Sequence, residues 1–140
     1  MLCRSLFLSL LLIALPWSAS AQPATGILFQ VPFEFVAFDS EFEPGNYAMG
    51  FSVPSHGQLV NRATGKARLV QIQPGARRAN DRLETLVFEK IGDLYILRAY
   101  RSGATGKGYT VPIEKKRREH VQVLISQGLQ PEQVLIAASW

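Results

Sequence analysis

Cysteine is nearly missing from this chain: Cys3 is the one example in 140 residues, and just two histidines, His56 and His120, accompany it. That excludes a disulfide framework, and it leaves too few soft ligands for a zinc site unless carboxylates are gathered from distant segments. Long apolar runs are missing as well. The longest, "LFLSLLLIALPW", has about 12 residues, short of the roughly 20 that a spanning helix requires. Neither charge sign dominates: 15 basic and 11 acidic residues give a net charge of +4, too mild to demand a nucleic-acid partner. A Gly-x-Ser-x-Gly nucleophile elbow is absent, and no cofactor is implied by any complete motif.

What is present begins with an export signature. Arg4 supplies a basic n-region, the apolar run follows, and "SASA" ending at Ala21 offers small residues for cleavage. The reading is a Sec-type signal peptide over residues 1–21 and a mature domain over 22–140, periplasmic or secreted, and not transmembrane once the leader is removed. Cleavage after Ala21 would leave 119 residues and, with Arg4 gone, a net charge of +3. It would also remove Cys3. A mature chain without cysteine suits a bacterial envelope better than a small eukaryotic secreted domain, where disulfides supplement a limited core. A domain of this size buries about two-thirds of its unfolded surface and needs no staples.

Along the mature chain, short β-branched and aromatic runs alternate with turn residues, which predicts an antiparallel, mainly β fold. "QVPFEFVAF" places Val31, Phe33 and Phe35 on one side and Glu34 and Val36 on the other, so a half-buried strand is expected over residues 30–38. Pro44, Gly45 and Asn46 make the next turn, since proline presets φ and glycine or asparagine accepts a positive one. Further strands are expected in "YAMGFSVP", "QLVNR", "ARLVQIQ", "LETLVFEK", "LYILRAYR" and "VLIAASW", with "PGARRANDR" as the longest loop and "IGD" as a tight hairpin turn. "PIEKKRREHVQVLISQG" reads as a short helix: Pro112 suits a first turn, Gly128 a C-terminal stop, and Ile113, Arg117, His120, Val121, Leu124 and Ile125 fall near one face. Val121, Val123 and Ile125 also alternate as they would in a strand.

"SGATGKGYT", residues 102–110, resembles a phosphate-cradling loop, but Arg101 stands where the first glycine belongs and Gly108 follows Gly106-Lys107 in place of serine or threonine. The tetrapeptide Ala-Thr-Gly-Lys also occurs at Ala63 to Lys66, again between two strand-like runs. Two copies in one local setting predict a shared backbone task, glycine at a left-handed position of a hairpin turn.

Three blocks, "VPFEFVAFDSEFEPGNYAMGF", "LVFEKIGDLYILRAY" and "VPIEKKRREH", resemble in that order an uncharacterised family of small exported bacterial β-proteins, frequent in acidobacterial genomes. The family pattern is a VPF-x-F strand, a P-x-G-x-Y turn, an LVF…GD-x-Y-x-L hairpin and an LP-x-x-x-x-E segment before a short helix. Tyr100 stands where a tryptophan is common there, and Val111 replaces the usual leucine before proline. The resemblance spans most of the mature chain and implies fold and export; the family has no established activity, so no catalytic residue is carried over. "EPGNYAM" separately resembles the P-x-G-x-Y turn of transthyretin-like and surface-adhesin sandwich domains.

Asp39, Glu41 and Glu43 alternate ahead of Gly45 and suggest a calcium loop. Position 50 is glycine where a distal bidentate glutamate is needed, however, and acids on the solvent face of a strand end account for them equally. Ser55 and His56 are adjacent, and neighbours on an extended chain point apart. Glu84, Glu89 and Glu114 are the acids from which a glycosidase pair would be drawn. The densest charge feature is Lys115, Lys116, Arg117 and Arg118. It reads either as a solvated first helical turn or as a contact for anionic lipid headgroups, lipopolysaccharide or peptidoglycan. Tyr100 and Arg101 join it as candidate surface contacts, tyrosine beside arginine being a common interface composition.

The expected fold is a single antiparallel β-sandwich or small β-barrel of six to eight strands with one short C-terminal helix. A spanning outer-membrane barrel, suggested by the terminal Trp140, is disfavoured because its strands need about 9 to 11 residues each. The expected function is an exported, non-catalytic binding or envelope-structural module, with an anionic envelope component or another envelope protein as partner. The alternative is a lipocalin-like carrier whose barrel, lined by Phe33, Phe35, Phe51, Phe88 and Tyr95, holds a small apolar ligand. A hydrolase using acidic residues comes third. No metal, cofactor or nucleic acid enters the first two readings.

Overall fold

A computed structural model describes residues 26–53, 55–75, 83–103 and 106–139. The expected signal peptide, most of the expected longest loop and Trp140 lie outside the described residues.

Pro32 takes the first architectural decision. It has no N–H to donate to a ladder, and the strand expected over residues 30–38 is cut into β1 (Ile27–Val31) and β2 (Phe35–Ala37). The two halves enter different sheets: β1 pairs antiparallel with β4 (Gly45–Val53), while β2 pairs with β3 (Ser40–Phe42). The alternation of the run survives the break. Val31, Phe33 and Phe35 all pack into the core between the sheets, and Glu34 is exposed. Val36, on the opposite side, is buried in a second cluster beneath a helix.

One sheet is completed by β5 (His56–Asn61) and β6 (Ala67–Gln71) in the order β1-β4-β5-β6. The other is built on the hairpin of β8 (Thr85–Ile91) and β9 (Leu94–Arg101). β11 (Glu132–Ala137) flanks it on one side, β10 (Gly108–Thr110) and then β7 (Gln73–Gly75) on the other. The far edge of β9 is shared, because β10 takes Ala99 to Arg101 and β2 makes one parallel pairing, Val36 with Ile96. Beyond β11, the Ala138 N–H donates to the Glu84 carbonyl at 2.8 Å and the Ser139 N–H to the Leu28 carbonyl at 2.9 Å, which stitches the sheets along one edge.

The architecture is therefore mainly β and sandwich-like, not a closed barrel, with one helix near the C-terminal end of the described residues. Those residues contain eleven strands, more than the six to eight expected. The excess comes from three-residue strands, β2, β3, β7 and β10. β7 starts at Gln73, the last residue of the expected strand "ARLVQIQ", and runs into the stretch read as loop; its Pro74 is tolerated because β7 is an edge strand.

The described residues at the two Ala-Thr-Gly-Lys sites, which in the second are Gly106 and Lys107, make the same hairpin-closing bonds. Before β6, the Asn61 N–H donates to the Lys66 carbonyl (2.9 Å) and the Gly65 N–H to the Asn61 carbonyl (2.8 Å). Before β10, the Ser102 N–H donates to Lys107 (2.9 Å) and the Gly106 N–H to Ser102 (3.0 Å). Gly65 and Gly106 have φ of 71° and 64°, the left-handed conformation that costs glycine least. The phosphate-loop resemblance is thus accounted for by turn geometry.

Helix α1 (Lys115–Ser126) packs Val121, with Leu124 and the preceding Ile113, onto Val36, Ile91 and Ile96. His120 and Ile125 are exposed, so the packed stripe is narrower than the sequence suggested. Gly128 ends the helix at φ 92°, its N–H donating to Ile125 (3.0 Å) while the Leu129 N–H reaches Leu124 (3.2 Å), the two bonds of a Schellman cap.

Candidate functional site

Where the β3–β4 connection, β6, the β8–β9 turn and the start of α1 meet, a groove of about 510 Å³ opens. Phe35, Phe42, Leu94 and Tyr95 give it apolar walls, and Glu34, Glu41, Glu43, Asp93, Arg68 and Arg117 bring six charged groups. A recess of about 130 Å³ shares Glu41, Phe42, Glu43 and Arg68 and adds Tyr47, Asn61, Thr64 and Lys66.

The strands explain this placement. In β3 alternation buries Phe42 and leaves Glu41 exposed. Arg68 lies opposite buried Leu59 in the β5–β6 register, and two positions on Val70 is buried. Arg68 is thus on the inward-facing side of β6, yet exposed, because β6 is the edge of its sheet. Asp93 belongs to the two-residue turn joining Ile91 to Leu94. Arg117 precedes buried Val121 by four residues and so shares its face of α1. The Tyr47 hydroxyl donates to the Glu43 carbonyl and accepts a bond from Asn61 Nδ2 at 3.5 Å, fixing the wall of the recess. Burial pushes the Tyr47 hydroxyl's pKa up.

None of the six charged groups makes an ion pair within 4.0 Å among the described residues. Four carboxyls against two guanidiniums give the groove a formal charge of −2, on a chain whose net charge is +4. Arg117 Nε is buried with no hydrogen-bond partner, a situation that costs about 1–3 kcal/mol for a polar group.

The opposite end of the β8–β9 hairpin is closed. Glu84, 9% exposed, accepts hydrogen bonds from the Tyr100 hydroxyl and from Ser102 Oγ, the latter at 3.0 Å. Phe29 meets Tyr100 edge-on at 6.3 Å, and Phe51 lies 4.9 Å from it and 5.0 Å from Tyr109. Burial first, then the Glu84 hydrogen bond and charge, hold the Tyr100 pKa well above the usual tyrosine range.

The residues expected to act together are divided between these regions. Tyr100 is no surface contact: its inward register on β9, opposite Leu86, buries it to 2% exposure. Arg101 is half-buried. Of the basic run, Lys115, Lys116 and Arg118 are exposed, Arg118 Nη2 donating to the Ile113 carbonyl at 3.3 Å, whereas Arg117 turns into the groove. The five rings proposed to line one cavity are divided: Phe35 and Tyr95 border the groove, and Phe33, Phe51 and Phe88 do not. Phe33 stacks on Tyr95 (3.8 Å) and meets Phe88 edge-on (5.0 Å), and Phe35 meets Phe88 at 5.2 Å, so these four pack against each other behind the groove wall. Phe51 lies at the other end, 40% exposed.

Ser55 Oγ and His56 Nδ1 are 2.8 Å apart, contrary to the expectation that they diverge, because Ser55 sits in the β4–β5 turn and not on an extended strand. No acid orients the ring among the described residues. Asp39, Glu41 and Glu43 do not draw together at metal-ligand spacing: among the described residues no group of three or more His, Cys, Asp or Glu side chains is close enough to hold one metal ion. Glu84 bonds Tyr100 and Ser102, while Glu89 pairs with Arg98 at 3.8 Å. Sequence reading overlooked Arg68 and Asp93 as groove residues, and nothing local marks them. Glu84 carried a signal, an acid two positions before Leu86 and four before Phe88 on the inward side of an alternating strand. Comparison with family models, curated proteins and solved structures finds no significant match for this chain.

Proposed function

We propose that this protein is an exported, non-catalytic binding module whose ligand site is the groove between the sheets. The observation that carries the reading is six charged side chains around apolar walls, none paired with another. The groove is richer in charge than most small-molecule sites, which are mainly apolar with a few placed polar groups; its aromatic surface offers apolar contact, and its unpaired charges of both signs offer partners to a charged ligand. The volume lies in the range of such sites, about 300–1,000 Å³. Lys115, Lys116 and Arg118, exposed beside the groove, supply attraction to an anionic envelope surface, each cation adding about 1 kcal/mol there.

Amide NMR of the mature chain, titrated separately with spermidine, with citrate and with the dipeptide Lys-Lys, which carries both signs, tests the reading. Shifts concentrated at Glu41, Glu43, Asp93 and Arg117, with none at Glu84 or Tyr100, are expected for at least one of the three. Shifts scattered over the surface, or none, overturn it.

A further inference from the structure

Resting on the groove reading, we infer that its ligand is a peptide-like amine that carries more positive than negative charge and a carboxylate, with Arg117 as the carboxylate subsite. Three features of the groove lead there. Its formal charge is −2 on a chain of +4, and a concave site bounded by apolar walls focuses such a field on cations. A simple polyamine would leave the two guanidiniums facing its own charge, and a simple anion would face four carboxyls. A ligand of both signs, positive in excess, offers partners to the groove's carboxyls and to its guanidiniums alike.

Arg117 adds the third feature. Its Nε is buried and unbonded, and the residue is one of those lining the groove. Rotation about its last side-chain torsions would turn the Nε–Nη edge of the guanidinium into the groove, where a carboxylate accepts two parallel bonds. Ligand binding would then satisfy a donor that the unliganded fold leaves orphaned. Across the groove, Glu41, Glu43 and Asp93 take the ammonium groups, and Tyr95 and Phe35 pack against the methylene stems between them. A short peptide containing two diamino acids has the required +2 charge and a size the volume accommodates.

The probes are the dipeptide Lys-Lys, its C-terminal amide and citrate, followed by amide NMR on the mature chain. The amide carries one more net positive charge than the acid, so electrostatic attraction alone makes it the tighter ligand. The inference predicts the reverse in the wild type: the free acid binds about tenfold tighter, as loss of a bidentate carboxylate contact implies. In Arg117→Gln the order inverts. Arg117→Lys, which keeps the charge and loses the fork, holds only part of the preference and covers the case in which the glutamine variant fails to fold. Tighter binding of the amide by the wild type, or of citrate than of either dipeptide, overturns the assignment of ligand and subsite while the groove reading stands. No shift at the groove with any of the three overturns both.

Discussion

The β8–β9 hairpin treats polar side chains in opposite ways at its two ends. At the Glu84 end a carboxyl is withdrawn from water and bonded by Tyr100 and Ser102, under a cover of Phe29, Phe51 and Tyr109. At the Asp93 end six charges gather round a groove and none is paired with another. Burying a carboxyl is tolerable only where donors are already in place, and Tyr100 and Ser102, two residues apart at the end of β9, are so placed by the strand itself. At the open end none of the four carboxyls accepts such a bond among the described residues. The chain spends its internal hydrogen bonds closing one end of the sandwich and leaves the other end's charges for solvent or a ligand.

The contrast is broken most forcefully at Glu84. Glu84→Ala removes the acceptor for two hydroxyls and leaves a void, and should cost about 3 kcal/mol, the sum expected of unsatisfied buried donors and lost packing. Asp93→Asn, at the exposed turn, should stay within about 0.5 kcal/mol. Urea unfolding at pH 7 with unchanged m-values measures both. Equal midpoints for the two variants would mean that the closed end contributes no more than the open one.

Tyr100→Phe sharpens the same end and should cost about 2 kcal/mol at pH 7, as for a hydrogen bond to an ionisable partner. It also has a pH signature. Burial and Glu84 raise the folded-state pKa of Tyr100 above its unfolded value near 10. The folded chain therefore holds a proton that the unfolded chain releases above that pH. The associated stability is complete below pH 10 and falls as pH rises past it, by about 1.4 kcal/mol per pH unit for one tyrosine. Tyr47 is shifted in the same direction by burial and keeps its share in the variant. The difference in slope between wild type and Tyr100→Phe above pH 10 isolates Tyr100, and identical slopes would sink the assignment.

Much of this fold is legible from residues alone, because alternation reports which side of a strand faces the core. Val31, Phe33, Phe35 and Phe42 are where that rule puts them. The rule says nothing of which sheet a strand joins. The run through Phe38 reads as one strand, yet Pro32 divides it and Phe38 adopts a φ of 54° in the β2–β3 turn, a conformation no local residue type announces. Tyr100 illustrates a second limit. Its arginine neighbours suggest a surface, but its inward register on β9 makes it core. The groove escapes sequence reading altogether, since Glu34, Arg68, Asp93 and Arg117 come from four segments that only the packing of α1 and the sheet edges brings together. Arg117 was visible as a cation in a run of four, and only its packed neighbour Val121 separates it from Lys116 and Arg118.

The smallest effect is the most discriminating between the two ends. Arg117→Met keeps much of the side chain's length and flexibility while deleting the buried, unbonded Nε. Removing an orphaned polar group relieves its desolvation cost, so the variant should be as stable as the wild type or more stable, by up to about 1 kcal/mol, in the same urea assay. Affinity for Lys-Lys should fall at the same time. A gain in stability coupled to a loss of binding is the pattern of a residue retained for its ligand. At the closed end no such gain is available, because each polar atom of the Glu84, Tyr100 and Ser102 side chains already has a partner there. A destabilised Arg117→Met would place Arg117 among the structural groups instead, and the two ends would then differ only in exposure.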